Sequence, residues 1–248
     1  MALMSAQGVS VPGRLNDVSL DLQRGEVIGL VGPNGSGKST LLQCLCGLMP
    51  FDGRVLLEGA EYSAIGANER ARRLGFLPQS CQSAWSLTVR DVIALGRMPW
   101  GDEQSQAIES AAAQTGVTDW LSKKVDHLSG GQQARVWLAR VLAGQPEVML
   151  ADEPVASLDL YHQLTVLDML RRYANQSNGV IVSLHDLGLA ARFCDRICLL
   201  DSGGVRASGT PEEVLTVDNI RTVYQVDAHI DLTTTPPIIF AKHVSTNL

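Results

Sequence analysis

The chain has 248 residues, 45% hydrophobic and 19% charged, with a formal net charge of −6. This composition excludes a disordered chain, leaves room for a sizeable core and, without a basic run, makes nucleic acid a poor partner. No run of about 18 apolar residues exists to span a bilayer, and residues 1–8 lack the regions of a signal peptide, so a cytosolic protein that docks on others is expected. Residues 26–31 read as a strand. The apolar run breaks at Gly32 and resumes at Lys38 with helical spacing through Leu41, Leu42, Leu45, Leu48 and Met49, and Pro50 and Gly53 close that helix. Residues 54–58 and 74–77 read as strands. Thr88 is a good N-cap for a helix over 89–95, the pattern from about 85 to 128 is mainly helical, and the Ala-rich stretch 109–115 is a strong helix former. Ser129, with Gln132 three residues on, forms a capping box, and Ala134, Trp137, Leu138, Val141 and Leu142 then share one face. Strands follow at 148–151, 180–184 and 196–200, with helices at 160–173 and 186–194 between them. Thr210, Pro211 and Glu213 open a further helix, and the tail carries short strands around 229–232 and 238–241. Alternating strands and helices predict an α/β fold with a mostly parallel sheet, the helical middle being an insertion. The cysteines, Cys44, Cys46, Cys81, Cys194 and Cys198, match no metal framework and read as reduced thiols.

Gly32-Pro33-Asn34-Gly35-Ser36-Gly37-Lys38-Ser39 fits G-x-x-x-x-G-K-[ST] between a predicted strand and a predicted helix. Its glycines let successive backbone N–H groups turn toward phosphate oxygens, and the helix N-terminus adds its dipole. In such a loop the lysine, here Lys38, reaches the β- and γ-phosphates, while the Ser39 hydroxyl ligates Mg²⁺; Thr40 completes the set. The loop alone says nucleotide and no more, since kinases, GTPases and motors share it.

The strand 148–151 ends in Asp152 and Glu153. Asp152 suits the Mg²⁺ shell. Glu153, one residue on, is expected on the opposite face of an extended chain, free to accept a proton from the attacking water. His185, after the strand 180–184, is placed to contact the γ-phosphate, and Gln79 follows the strand 74–77 as a candidate loop glutamine.

Leu128-Ser129-Gly130-Gly131-Gln132 resembles the LSGGQ signature of the ATP-binding cassette (ABC) family without substitution. The other motifs fall in that family's order: phosphate loop at 32–39, Q-loop glutamine Gln79, acid pair Asp152 and Glu153, D-loop Ser157-Leu158-Asp159, and switch histidine His185. The resemblance spans about residues 25–210. It implies a P-loop NTPase cassette over the whole chain, with an N-terminal antiparallel β part and a helical signature subdomain inserted at about 85–145. It also implies a homodimer with two ATP molecules at the interface. Lys38, Gln79, Glu153 and His185 act from one copy, with Mg²⁺ held by Ser39, Gln79 and Asp152; Ser129, Gly130, Gly131, Gln132 and Asp159 act in trans from the other. The chain departs from the family in lacking an aromatic between Gln7 and Gln23, which leaves Arg14 or Val11 to cover the adenine.

Residues 89–97, Leu184-His185-Asp186-Leu187 with Ala190-Ala191-Arg192, and Ser208-Gly209-Thr210-Pro211 are similar to ATPases of importers for iron–siderophores, haem and cobalamin. That group implies a peripheral subunit on the cytoplasmic face of the inner membrane, two permease subunits, and a periplasmic or surface binding protein. Residues 79–100 then line the groove for the permease, where Trp85, Met98 and Trp100 serve as contacts or as core packing. An exporter ATPase differs from this reading only in the finer resemblance. A soluble ABC ATPase acting on DNA or ribosomes is disfavoured by the single cassette, by the charge, and by about 90 residues without heptads between loop and signature.

Overall fold

The computed structural model describes residues 1–80, 86–102, 104–156 and 158–244. Cys81, Trp85 and Ser157 lie outside the described residues. The chain opens with β1 (Met4–Val11) and β2 (Leu15–Leu22), then β3 (Val27–Val31) and α1 (Lys38–Leu45). Next come β4 (Asp52–Leu57), β5 (Ala60–Glu61), α2 (Ala67–Arg73) and β6 (Leu74–Leu77). Three helices follow, α3 (Val89–Ala94), α4 (Ser105–Thr115) and α5 (Gly130–Ala143), before β7 (Val148–Ala151). The C-terminal part runs α6 (Leu160–Ala174), β8 (Gly179–Ser183), α7 (Leu187–Phe193), β9 (Arg196–Asp201) and β10 (Gly204–Gly209). It ends with α8 (Pro211–Val214), α9 (Val217–Tyr224) and a hairpin of β11 (Val226–Asp231) and β12 (Ile238–Val244).

The fold is α/β, as expected. Its main sheet has the order β10-β9-β3-β8-β7-β6 and is parallel except at the β10 edge. The N-terminal sheet, β2-β1-β4-β5, is antiparallel throughout. Because side chains alternate along a strand, each central strand feeds two separate cores. Val27, Met149, Val180 and Ile197 face a cluster shared with α3, α4, α5, α6 and α7. Ile28, Val148, Ile181 and Cys198 face a cluster shared with α1 and the N-terminal sheet. Parallel strands put all their C-terminal ends on one edge, where ligands of open α/β sheets collect. That edge receives the loops after β3, β6, β7 and β8, and with them residues 32–39, Gln79, Asp152, Glu153 and His185.

Helix α1 stops at Leu45, short of the Met49 expected from periodicity. Gly47, at φ 68°, ends it: Gly47 N–H donates to Cys44 O at 2.9 Å and Leu48 N–H to Gln43 O at 2.9 Å. These paired bonds form a Schellman motif, and Pro50 plays no part in it. The expected caps are present at Thr88, Ser129 and Thr210; each is a full capping box, with Asp91, Gln132 and Glu213 respectively.

Candidate active site

The phosphate loop forms one wall of a pocket lined by Gly13, Arg14, Asn34, Gly35, Ser36, Gly37, Lys38, Ser39, Thr40 and Glu153. Lys38 is only 5% exposed, and its Nζ donates to Gly32 O at 2.8 Å and Pro33 O at 3.0 Å. Burial holds its pKa below the ordinary lysine value, opposed by the charges of Glu153 and Asp152. Ser36 Oγ is buried with no hydrogen-bond partner among the described residues. Gly32 adopts φ 148°, and a methyl group there would lie 2.2 Å from Leu200 O. Gly32→Ala is therefore expected to destabilise the chain by about 2–4 kcal/mol and to abolish nucleotide binding, read by thermal unfolding with and without ATP.

Of the two residues expected to stand in for the missing aromatic, one lines the pocket and the other does not. Val11 is 9% exposed and belongs to the N-terminal core, because the β1 alternation turns it inward. Arg14 sits on the β1–β2 turn at the rim of the pocket. The turn is pinned there by Asn16 N–H donating to Gly203 O at 2.8 Å.

Asp152 and Glu153 separate by a different device from the strand alternation expected. Glu153 has φ 47°, so the chain leaves β7 through a left-handed residue at the second acid. The Ser183 hydroxyl holds this geometry. Its Oγ donates to Asp152 Oδ1 at 2.7 Å and accepts from Glu153 N–H at 2.8 Å. Ser183 is fully buried, and the sequence reading passed over it. The available signal was a serine ending an otherwise apolar strand, one step before the Leu184-His185 pair.

Both carboxylate oxygens of Glu153 are engaged. Gln79 Nε2 donates to Oε2 at 2.5 Å, and His185 Nε2 lies 2.5 Å from Oε1. Gln79, Glu153 and His185 thus meet at one point, beside the phosphate-loop pocket that Glu153 also lines. A carboxylate so oriented, in a largely desolvated position, is equipped to take a proton from a water between itself and a bound phosphate.

The signature residues lie elsewhere. Ser129 caps α5, its N–H donating to Gln132 Oε1 at 2.9 Å and its Oγ accepting from Gln132 N–H. Asp159 caps α6, accepting from His162 N–H at 2.9 Å, with His162 Nδ1 at 2.7 Å. The His162 backbone N–H, and then its ring, hold the Asp159 carboxyl below its ordinary pKa. None of Ser129, Gly130, Gly131, Gln132 or Asp159 lines the phosphate-loop pocket. Gly130 shares a second pocket with Gln79 and Glu153, and no residue of 32–39 lines it.

The sequence profile described as ABC transporter matches residues 15–156. The hemin import ATP-binding protein HmuV of Pseudomonas putida is 44% identical over 222 residues, covering 86% of this chain and 87% of that protein. The cobalamin import ATP-binding protein BtuD of Halobacterium salinarum is 40% identical over 229 residues, covering 90% of this chain and 57% of that protein. Among solved structures, an inward-facing metal-chelate type ABC transporter superposes with a TM-score of 0.84 at 21% identity, over 99% of both chains, which speaks to the fold.

Proposed function

The chain belongs to the ABC transporter family as an ATP-hydrolysing import subunit, and we propose that it energises uptake of a metal chelate or corrinoid, an iron–siderophore, haem or cobalamin, through a separate permease. The observation that carries the chemistry is the Gln79–Glu153–His185 cluster at the edge of the phosphate-loop pocket. The Gly32, Pro33, Asn34, Gly35, Ser36 and Gly37 backbone cradles the phosphates. Lys38 moves from the loop carbonyls to the β- and γ-phosphates, where its charge has more to gain. Glu153 takes the proton of the attacking water, His185 steadies the carboxylate, and Gln79 withdraws to admit that water. Arg14 covers the adenine, a planar cation stacking where the family has an aromatic.

Mg²⁺ fits the donors present. Ser39 lines the pocket, and Asp152 is 4% exposed with one carboxylate oxygen on Ser183. Gln79 would add its amide oxygen, its nitrogen being on Glu153. Among the described residues no cluster of His, Cys, Asp and Glu could hold a metal unaided. Such a site suits a cation that shares its shell with nucleotide phosphates and neutralises their charge when bound.

The site is completed by a second copy. Ser129, Gly130, Gly131 and Gln132 offer a capped helix N-terminus, and with Asp159 they face the γ-phosphate on the partner's loop. Residues 85–145 form the helical subdomain that carries this turn.

The chain sits peripherally on the cytoplasmic face of the membrane; among the described residues no helix is long and apolar enough to cross it. Its permease groove is lined by Leu48, Phe76, Pro78, Leu95, Gly96 and Pro99. Met98, 72% exposed beside it, is a contact. Trp100 is a clamp instead. Its Nε1 donates to Gly144 O at 3.0 Å, and its ring lies 5.0 Å from the Arg72 guanidinium and 4.8 Å from that of Arg97. Met98→Asp is expected to weaken permease association about tenfold or more while ATP binding stays parental, measured by co-purification and nucleotide titration. The importer reading itself is tested by reconstituting the chain with its permease in vesicles and following ATP-dependent uptake of haem, cobalamin and a ferric siderophore. Uptake of none, with ATP-driven efflux of any, rejects it.

A further inference from the structure

His162 belongs to none of the motifs, yet its ring touches two of them. A methyl group built on Gly131 would lie 3.0 Å from His162 Cγ, 3.1 Å from Cδ2 and 3.2 Å from Nδ1, its three nearest non-local neighbours. The imidazole therefore rests against the bare Cα of the signature turn and fills the space a side chain there would need. On its other side Nδ1 lies 2.7 Å from Asp159 Oδ1, the oxygen that also accepts the His162 N–H at 2.9 Å. A carboxylate only accepts, so Nδ1 carries the proton. Tyr161 meets the ring edge-on at 5.3 Å, and the side chain is 23% exposed. The ring is thus held from three directions.

The two elements it joins reach this place by different routes. The signature turn opens α5 and Asp159 opens α6, with β7 between them in the chain. Both helices pack into one core cluster through their bodies, and stabilisation of a transferring phosphoryl group further depends on donors held to about 0.5 Å at their N-termini.

We propose that His162 is a positioning residue that locks residues 129–132 to Asp159, so that both elements meet the partner's nucleotide as one body. The proposal rests on the trans-site reading above.

The test uses the full chain carrying Glu153→Gln with Mg·ATP. It reads the dimer dissociation constant by sedimentation equilibrium, and ATP affinity on dilute chain. His162→Phe keeps a ring against Gly131 and loses the bond to Asp159. His162→Gln keeps a donor for Asp159 and loses the ring. Each is expected to raise the dimer dissociation constant about tenfold, while ATP affinity and thermal midpoint stay parental. Parental dimerisation in either variant overturns the lock. Loss of ATP affinity in step with dimerisation also overturns it, by making His162 a folding residue. A Glu153→Gln parent that stays monomeric with Mg·ATP overturns the trans-site reading itself, and this proposal with it.

Discussion

Glu153→Gln is expected to bind ATP with parental affinity, hydrolyse it about 10²–10⁴-fold more slowly and accumulate as a closed dimer. The substitution keeps the side chain's volume, so no cavity opens in the 11%-exposed position beside His185. It leaves the backbone N–H on Ser183 and therefore leaves Asp152 in place. The capacity of the carboxylate between Gln79 and His185 to accept a proton is what goes. Turnover of the permease complex checks the rate, and size-exclusion with Mg·ATP checks the closed dimer. A rate within tenfold of the parent removes Glu153 as the base.

Ser129→Arg separates binding from turnover. Ser129 is exposed and lines no part of the phosphate-loop pocket, so one copy's grip on nucleotide should not change. The lost cap costs about 1 kcal/mol of stability, which a chain of this size tolerates. Turnover is expected to fall about 10³-fold or more, because in the proposed two-copy site the γ-phosphate on the partner loses its helix N-terminus and meets a long side chain instead. Mixing this variant with Lys38→Ala supplies the decisive control. Each mixed dimer then holds one site with intact Lys38 and intact Ser129, and hydrolysis should return although neither parent is active. If Ser129→Arg alone turns over at the parental rate, the two-copy site is wrong.

The features legible in the sequence were those made by local hydrogen bonds and local period. The caps at Thr88, Ser129 and Thr210 are each closed within three residues, so the capping residue types announce them. Strands β6 and β7 have the ends expected, being apolar runs cut off by proline or acids. What escaped was set by distant contacts. Helix α2 buries no residue and so carries no apolar stripe to read. The β10 edge strand alternates too weakly to stand out from the turn before it. The left-handed φ of Glu153 leaves no mark on residue type, and it depends on Ser183, 30 residues away. Which of Val11 and Arg14 lines the phosphate-loop pocket depends on the register of a hairpin, and residue type alone does not give it.

The main sheet is a single wall between two cores, and this governs where the molecule is free to breathe. Loosening α3, α4 and α5 disturbs one cluster and leaves the other sealed; loosening the N-terminal hairpin does the reverse. Parting β3, β7 or β8 from its neighbours opens both at once, so their amides belong to the last unit to exchange. The phosphate loop, the acid pair and His185 hang from the ends of these three strands. The signature turn opens α5, and Met98 follows α3, two helices that face one core alone. The groups assigned to the chemistry are thus anchored in the stiffest part of the chain, and the surfaces assigned to its partners in the part that yields first.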